Sequence, residues 1–67
     1  MNFLNIHYFL MVAQEHSFTR AAERLYITQQ TLSAQIASIE QELGCKLFQR
    51  KIPLELTYEG RIFFNYA

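Results

Sequence analysis

The stretch from Thr28 to Gly44 constrains this chain more than any other. It reads Thr-Gln-Gln-Thr-Leu-Ser-Ala-Gln-Ile-Ala-Ser-Ile-Glu-Gln-Glu-Leu-Gly. Thr28 suits an N-cap, because its hydroxyl can accept from a free first-turn amide. Gly44 suits a stop, because it enters left-handed backbone at low cost. Between them Leu32, Ile36, Ile39 and Leu43 step by four, three and four. At 3.6 residues per turn these four fall within an arc of about 60°. The opposite face carries Gln30, Ala34, Ala37, Ser38 and Gln41. A helix of this kind is anchored along a narrow stripe. Its outer face is small and amide-rich, a shape that fits a DNA major groove. Taken alone, the same pattern also describes a surface helix with a solvated face.

The 67 residues predict one domain, of a size that folds alone but with little margin. Hydrophobic residues make up 51% of the chain and charged residues 18%, which argues for a packed core and against disorder. Six basic residues balance six acidic ones. That balance counts against generic polyanion binding, so any nucleic-acid contact has to come from local placement of charge. Cys45 is the only cysteine, which excludes an internal disulfide and suits a reducing compartment. It reads as a packed structural thiol, although Lys46 beside it would favour the thiolate. No apolar run is long enough for a membrane span. The start lacks the basic region of a secretory signal, so a cytoplasmic setting is expected. His7 and His16 stand nine apart without a neighbouring cysteine, and no metal site is expected.

Spacing predicts a first helix over 3–15, with Phe3, Ile6, Phe9, Leu10 and Ala13 inward, Val12 close to that face and Asn2 as its cap. Ser17 is placed to cap a second helix over about 18–25, whose inner face is Phe18, Ala21, Ala22 and Leu25. Ala21 and Ala22 let another helix approach closely. Tyr26-Ile27-Thr28 then joins it to the long helix. Two helices so joined match a helix-turn-helix, and an ordinary αα-corner fits the same periodicity. After Gly44 the pattern changes. Leu47–Arg50 and Leu54–Thr57 read as short strands around Lys51, Ile52 and Pro53, with Pro53 in the turn or at its edge. This small β-wing carries Lys46, Arg50 and Lys51, half of the basic residues. Thr57 is placed to cap a last helix, with Glu59 favourable in its first turn. That helix is too short to be stable alone. Its Ile62, Phe63 and Tyr66 are expected to leave apolar surface that needs a partner, as in a module cut from something longer.

The order is helix, helix-turn-helix, wing, helix, and here the residues resemble a known family. Ser17-Phe18-Thr19-Arg20-Ala21-Ala22-Glu23-Arg24-Leu25 is similar to the second-helix signature of LysR-type transcriptional regulators. Ile27-Thr28-Gln29-Gln30-Thr31-Leu32-Ser33-Ala34-Gln35-Ile36 resembles their recognition helix. Ile39 to Arg50 continues the likeness into the wing, and Leu56-Thr57-Tyr58-Glu59-Gly60 resembles the start of their linker helix. The likeness spans nearly the whole chain without a gap. It implies a mainly α fold with a small β-wing: a winged helix-turn-helix of three core helices, a two-stranded wing and the start of a linker helix. Residues 1–58 would form the DNA-binding domain and 59–67 the truncated start of the dimerisation helix.

The resemblance also implies a function and a set of residues. The chain would be the N-terminal module of a bacterial regulator roughly four times longer, binding double-stranded DNA sequence-specifically. A homodimer or tetramer of the full-length protein would form through the linker helix, burying Ile62, Phe63 and Tyr66. Two recognition helices, each about 29–43, would enter successive major grooves about 34–36 Å apart, on an inverted-repeat operator. The wing, 47–57, would lie on the backbone and minor groove. Thr28, Gln29, Gln30 and Ala34 are the expected base-contacting positions; Thr19, Arg20, Ser33, Arg50 and Lys51 the expected backbone contacts. No cofactor is implied in this domain, and a small-molecule effector is expected in a C-terminal domain absent from the chain.

The chain departs from the family pattern in ways that bear on readout. Gln30 stands where proline or serine is more usual, Ala34 where many members have arginine, and Pro53 where a second wing arginine is common. No lysine or arginine occurs between Leu25 and Cys45, so the recognition helix cannot supply an arginine–guanine contact. Gln29 or Gln30 would instead pair with adenine, and the Thr28 methyl would meet a thymine methyl. Arg24 and Glu23 are expected to pair within or between helices and to contribute little. A winged-helix adaptor that binds protein rather than DNA is the main rival, because the neutral charge suits it. A mixed or acidic potential around Gln29, Arg50 and Lys51 would support that rival. Nothing in the residue set builds a catalytic site.

Overall fold

The computed structural model describes all 67 residues, Met1–Ala67. Helices α1 (Phe3–Glu15), α2 (Phe18–Leu25) and α3 (Gln29–Leu43) come first. Strands β1 (Phe48–Gln49) and β2 (Glu55–Leu56) and helix α4 (Tyr58–Tyr66) follow. This is the winged helix-turn-helix order that the sequence implies. No helix is long and apolar enough to cross a membrane.

Each helix starts on a side-chain cap. Asn2 and Asn5 close a reciprocal box, Oδ1 of each accepting from the backbone N–H of the other at 2.9 and 3.0 Å. Ser17 Oγ accepts from Arg20 N at 3.1 Å, Thr28 Oγ1 from Thr31 N at 3.1 Å, and Thr57 Oγ1 from Gly60 N at 2.9 Å. Such a cap contributes typically about 1 kcal/mol. Three helices stop on left-handed residues: His16 at φ 54°, Tyr26 at φ 58° and Gly44 at φ 74°. Only Gly44 advertises this in the sequence. For His16 and Tyr26 the Cβ makes that backbone cost roughly 1–2 kcal/mol each.

The core is one cluster. Phe9, Val12 and Ala13 of α1 meet Ala21 and Ala22 of α2 and Leu32, Ile36 and Ile39 of α3. Leu47, Phe48 and Leu54 of the wing close it. Four aromatic rings connect in sequence through this body. Phe63 lies 4.9 Å from Phe9, Phe9 lies 5.4 Å from Phe48, and Phe48 lies 5.6 Å from Phe18.

The ends of the helices depart from the periodic reading. Phe3 is 92% exposed, in line with the rest of residues 1–4, while Ile6 and Leu10 are only half-buried. Leu43 is exposed with the rest of 41–44, so the last turn of α3 extends past the core that holds Ile39. A stripe inferred from 3.6-residue spacing runs as far as the helix does, whereas burial stops where the neighbouring element ends.

The wing pairs Phe48 with Leu56 and Gln49 with Glu55, antiparallel. Its strands are shorter than the expected 47–50 and 54–57. At one end the Leu47 amide donates to Glu40 Oε2 at 2.7 Å, so the hairpin is closed there by Thr57 N to Leu47 O at 3.0 Å and by Thr57 Oγ1 to Lys46 O at 2.6 Å. At the other, Lys51 N turns back onto Gln49 O at 2.9 Å. His16 Nδ1 ties the hairpin to the end of α1, donating to Leu54 O at 3.2 Å.

Candidate functional site

The second and third helices set the geometry of the site. Ala21 and Ala22 are buried, so α2 packs closely and carries its N-terminal residues Thr19 and Arg20 outward. Across the turn, Thr28, Gln29, Gln30 and Ala34 at the start of α3 are all exposed, and Ser33 is half-buried. Gln29 Nε2 donates to Thr19 Oγ1 at 2.8 Å, which joins the exposed ends of the two helices directly. Thr28 Oγ1 donates to Thr31 Oγ1 at 2.9 Å while accepting from Thr31 N, so its one hydrogen is already used within the turn.

The wing brings further expected residues to this side. A groove of about 560 Å³ runs between the start of α2 and the wing tip, and Thr19, Arg20, Lys51, Ile52 and Pro53 are among its walls. Arg50 is exposed, and its guanidinium lies 4.3 Å from the Phe18 ring centre. Lys51 Nζ lies 3.1 Å from Glu55 Oε1, so its charge is partly neutralised within the wing. Arg24 pairs with Glu15 at 3.2 Å, an ion pair between α2 and α1 of the kind expected for it, whereas Glu23 has no ion-pair partner. Arg20 and Arg50 have no carboxylate partner. Cation placement here is therefore local, as the neutral net charge requires.

Of the three apolar residues expected to need a partner, two are free. Ile62 is exposed and Tyr66 is 87% exposed. Phe63 is a correction: it is half-buried against this chain's own Phe9, because α4 turns back onto the aromatic core. Its ring is thus largely committed within the domain.

Two residues were absent from the expected site. Phe18 was assigned only to an inner face, yet it carries Arg50. Glu40 is only 5% exposed, and its carboxylate reaches Leu47 N and lies 4.0 Å from Lys46 Nζ. Its backbone carbonyl also accepts from Gly44 and Cys45. Glu40 follows Ile36 by four, so helical spacing put this carboxylate on the flank of the buried stripe. An acidic residue there signals a buried acceptor with a backbone donor to satisfy. Cys45 is half-buried against the core, in keeping with a packed thiol.

Comparison with known proteins supports the same architecture. Residues 3–61 match the model of the bacterial regulatory helix-turn-helix proteins of the lysR family. The chain is 44% identical over 68 residues to the HTH-type transcriptional regulator BenM of Acinetobacter baylyi, covering 100% of this chain and 22% of BenM. It is 45% identical over 65 residues to the HTH-type transcriptional regulator CatR of Pseudomonas putida, covering 97% of this chain and 22% of CatR. The chain therefore spans about a fifth of the length of these relatives. The crystal structure of the BenM_DBD/benA site 1 DNA complex superposes with a TM-score of 0.95 at 43% identity, over 98% of this chain and 75% of that one.

Proposed function

The chain belongs to the lysR family of bacterial regulatory helix-turn-helix proteins, and from that premise we propose that it is the sequence-specific DNA-binding module of a transcriptional regulator. The observation that carries this reading is its likeness, at 43% identity, to a domain crystallised on DNA. The first turn of α3 enters the major groove. Gln29 and Gln30 read base edges there, the Thr28 methyl contacts thymine, and Ala34 leaves room for close approach. Thr19, Arg20, Ser33, Arg50 and Lys51 meet phosphates and fix the register. Because α3 carries no cation, the contacts of this helix lean toward A·T pairs. Two copies joined through Ile62 and Tyr66 of α4 read an inverted repeat. The effector domain and its small molecule belong to the remainder of a longer regulator.

Titrating fluorescent A·T-rich inverted-repeat duplexes tests this, with scrambled competitor and salt from about 50 to 200 mM. Binding that survives competitor and weakens steeply with salt is the expected result. Gln29→Ala then changes which sequences are preferred, by about 1–3 kcal/mol for a lost bidentate contact. No binding at low salt, even when two copies are linked artificially, overturns the proposal in favour of a protein-binding adaptor.

A further inference from the structure

The hydrogen bond between Gln29 and Thr19 has consequences for base choice. It spans 2.8 Å between two exposed side chains on different helices, away from the hydrophobic core. A threonine hydroxyl has one hydrogen to donate, and a glutamine amide has two N–H groups and one carbonyl. With one N–H directed to Thr19, the amide retains its second N–H and Oε1. Adenine presents N7 as acceptor and N6 as donor in the major groove, while guanine presents two acceptors, N7 and O6. One donor and one acceptor therefore complement adenine, and the same pair sets Oε1 against guanine O6.

The reversed amide behaves differently. With Oε1 toward Thr19 and both N–H groups outward, it complements the two acceptors of guanine. That arrangement requires the hydrogen of Thr19. A hydroxyl that donates its hydrogen to a phosphate oxygen can only accept from the amide, which removes the reversed state.

We propose that Thr19 is a positioning residue for base reading: its hydroxyl bridges a DNA phosphate and the Gln29 amide, and so makes Gln29 select adenine over guanine. This rests on the DNA-reading function proposed above and adds a specificity role to a residue otherwise expected only to anchor the backbone. The absence of lysine and arginine from α3 gives this amide more weight, because no neighbouring cation on the helix reads guanine.

The experiment is selection from a pool of random duplexes with the wild-type chain and with Gln29→Ala. Dissociation constants are then measured on duplex pairs that differ by A·T against G·C at the step which Gln29→Ala relaxes. Thr19→Val is expected to narrow the adenine-over-guanine ratio about tenfold, within the range of one bidentate contact. Thr19→Ser is expected to restore it, and Thr19→Val in a Gln29→Ala background is expected to leave it unchanged. Thr19→Ala serves the same purpose where valine perturbs the helix. If Thr19→Val weakens both duplexes equally, Thr19 is an anchor only and the proposal fails while DNA reading stands. If Gln29→Ala relaxes no step, the amide reads nothing and the proposal fails with it. A wild-type chain that enriches no sequence overturns the DNA reading and this inference together.

Discussion

The Arg50 guanidinium lies 4.3 Å from the centre of the Phe18 ring, so a residue at the start of α2 supports the arginine of the wing. Phe18 in turn rests against Phe48, 5.6 Å away, whose own position is fixed in the core. A long side chain on an exposed hairpin is thereby held before any partner arrives. Less rotamer entropy would then remain to be lost in the phosphate contact proposed for it.

Phe18→Leu separates this support from the charge itself. Leucine keeps apolar contact with the core but offers no π-face. Without the ring, the arginine has more rotamer freedom to lose on binding, about 0.5–1.5 kcal/mol, so DNA affinity should fall roughly two- to tenfold. The salt dependence should stay as in the wild type, because the arginine is still present. Arg50→Ala should weaken every sequence alike and reduce the salt slope by about one. Titrations of both variants across a salt series check this. A Phe18→Leu slope reduced as far as that of Arg50→Ala would mean that the arginine no longer reaches the phosphate.

The Lys51–Glu55 pair predicts a gain from removing a charge. Glu55 holds Lys51 at 3.1 Å on an exposed hairpin, and its carboxylate also repels a phosphate approaching the wing. Exposed pairs of this kind contribute only about 0–1 kcal/mol to folding. Glu55→Gln should therefore leave the melting temperature nearly unchanged and tighten DNA binding several-fold at low salt. The gain should shrink at high salt, where the carboxylate is screened. Thermal melts and duplex titrations at two ionic strengths measure the two effects separately.

Glu40 predicts the opposite balance, large in stability and indirect in binding. Its carboxylate accepts from the buried Leu47 amide at 2.7 Å and thereby joins α3 to the base of the wing. Glu40→Ala leaves that amide without a partner, at a cost of about 1–3 kcal/mol. Glu40→Gln keeps a carbonyl acceptor in the same place and should recover most of the loss. Denaturant melts of the two variants give the difference. Equal destabilisation by both would place the importance of Glu40 in its charge rather than in this bond.

Local signals made the helices legible. Asn2, Ser17, Thr28 and Thr57 all cap as their residue types suggest, because an N-cap depends only on neighbours a few residues away. The Leu32, Ile36 and Ile39 stripe was legible for the same reason. Phe3 and Leu43 were misread because burial depends on how far the neighbouring element extends. Phe63 was misread because its ring finds Phe9, more than fifty residues earlier, and no periodicity reports such a pairing. In the candidate site, Gln29 and Arg50 are proposed from the family pattern, and the fold leaves both exposed. The bonds that organise them, Thr19 to Gln29 and Phe18 to Arg50, link separate elements and become visible only when the chain has folded.

Gly60 yields a stability prediction whose sign depends on two opposed terms. It lies within α4, where replacing glycine by alanine ordinarily stabilises by about 0.5–1 kcal/mol through lost chain entropy. A Cβ at this position would clash with the Leu47 carbonyl oxygen and fall 3.0 Å from its carbon. That carbonyl cannot yield easily, because it accepts from Thr57 N and the Leu47 amide is held by Glu40. Overpacking of this kind typically costs about 1–3 kcal/mol, and here the obstacle is backbone, so the clash outweighs the propensity gain. Gly60→Ala should therefore lower the melting temperature and shift α4 away from the wing. Gly44 gives the contrast, since nothing lies within 4 Å of a Cβ there and only its φ of 74° resists substitution. Gly44→Asn, which tolerates left-handed backbone, should cost less than Gly60→Ala. Parallel thermal melts decide between them, and a Gly60→Ala chain as stable as the wild type would show that α4 moves freely on the wing.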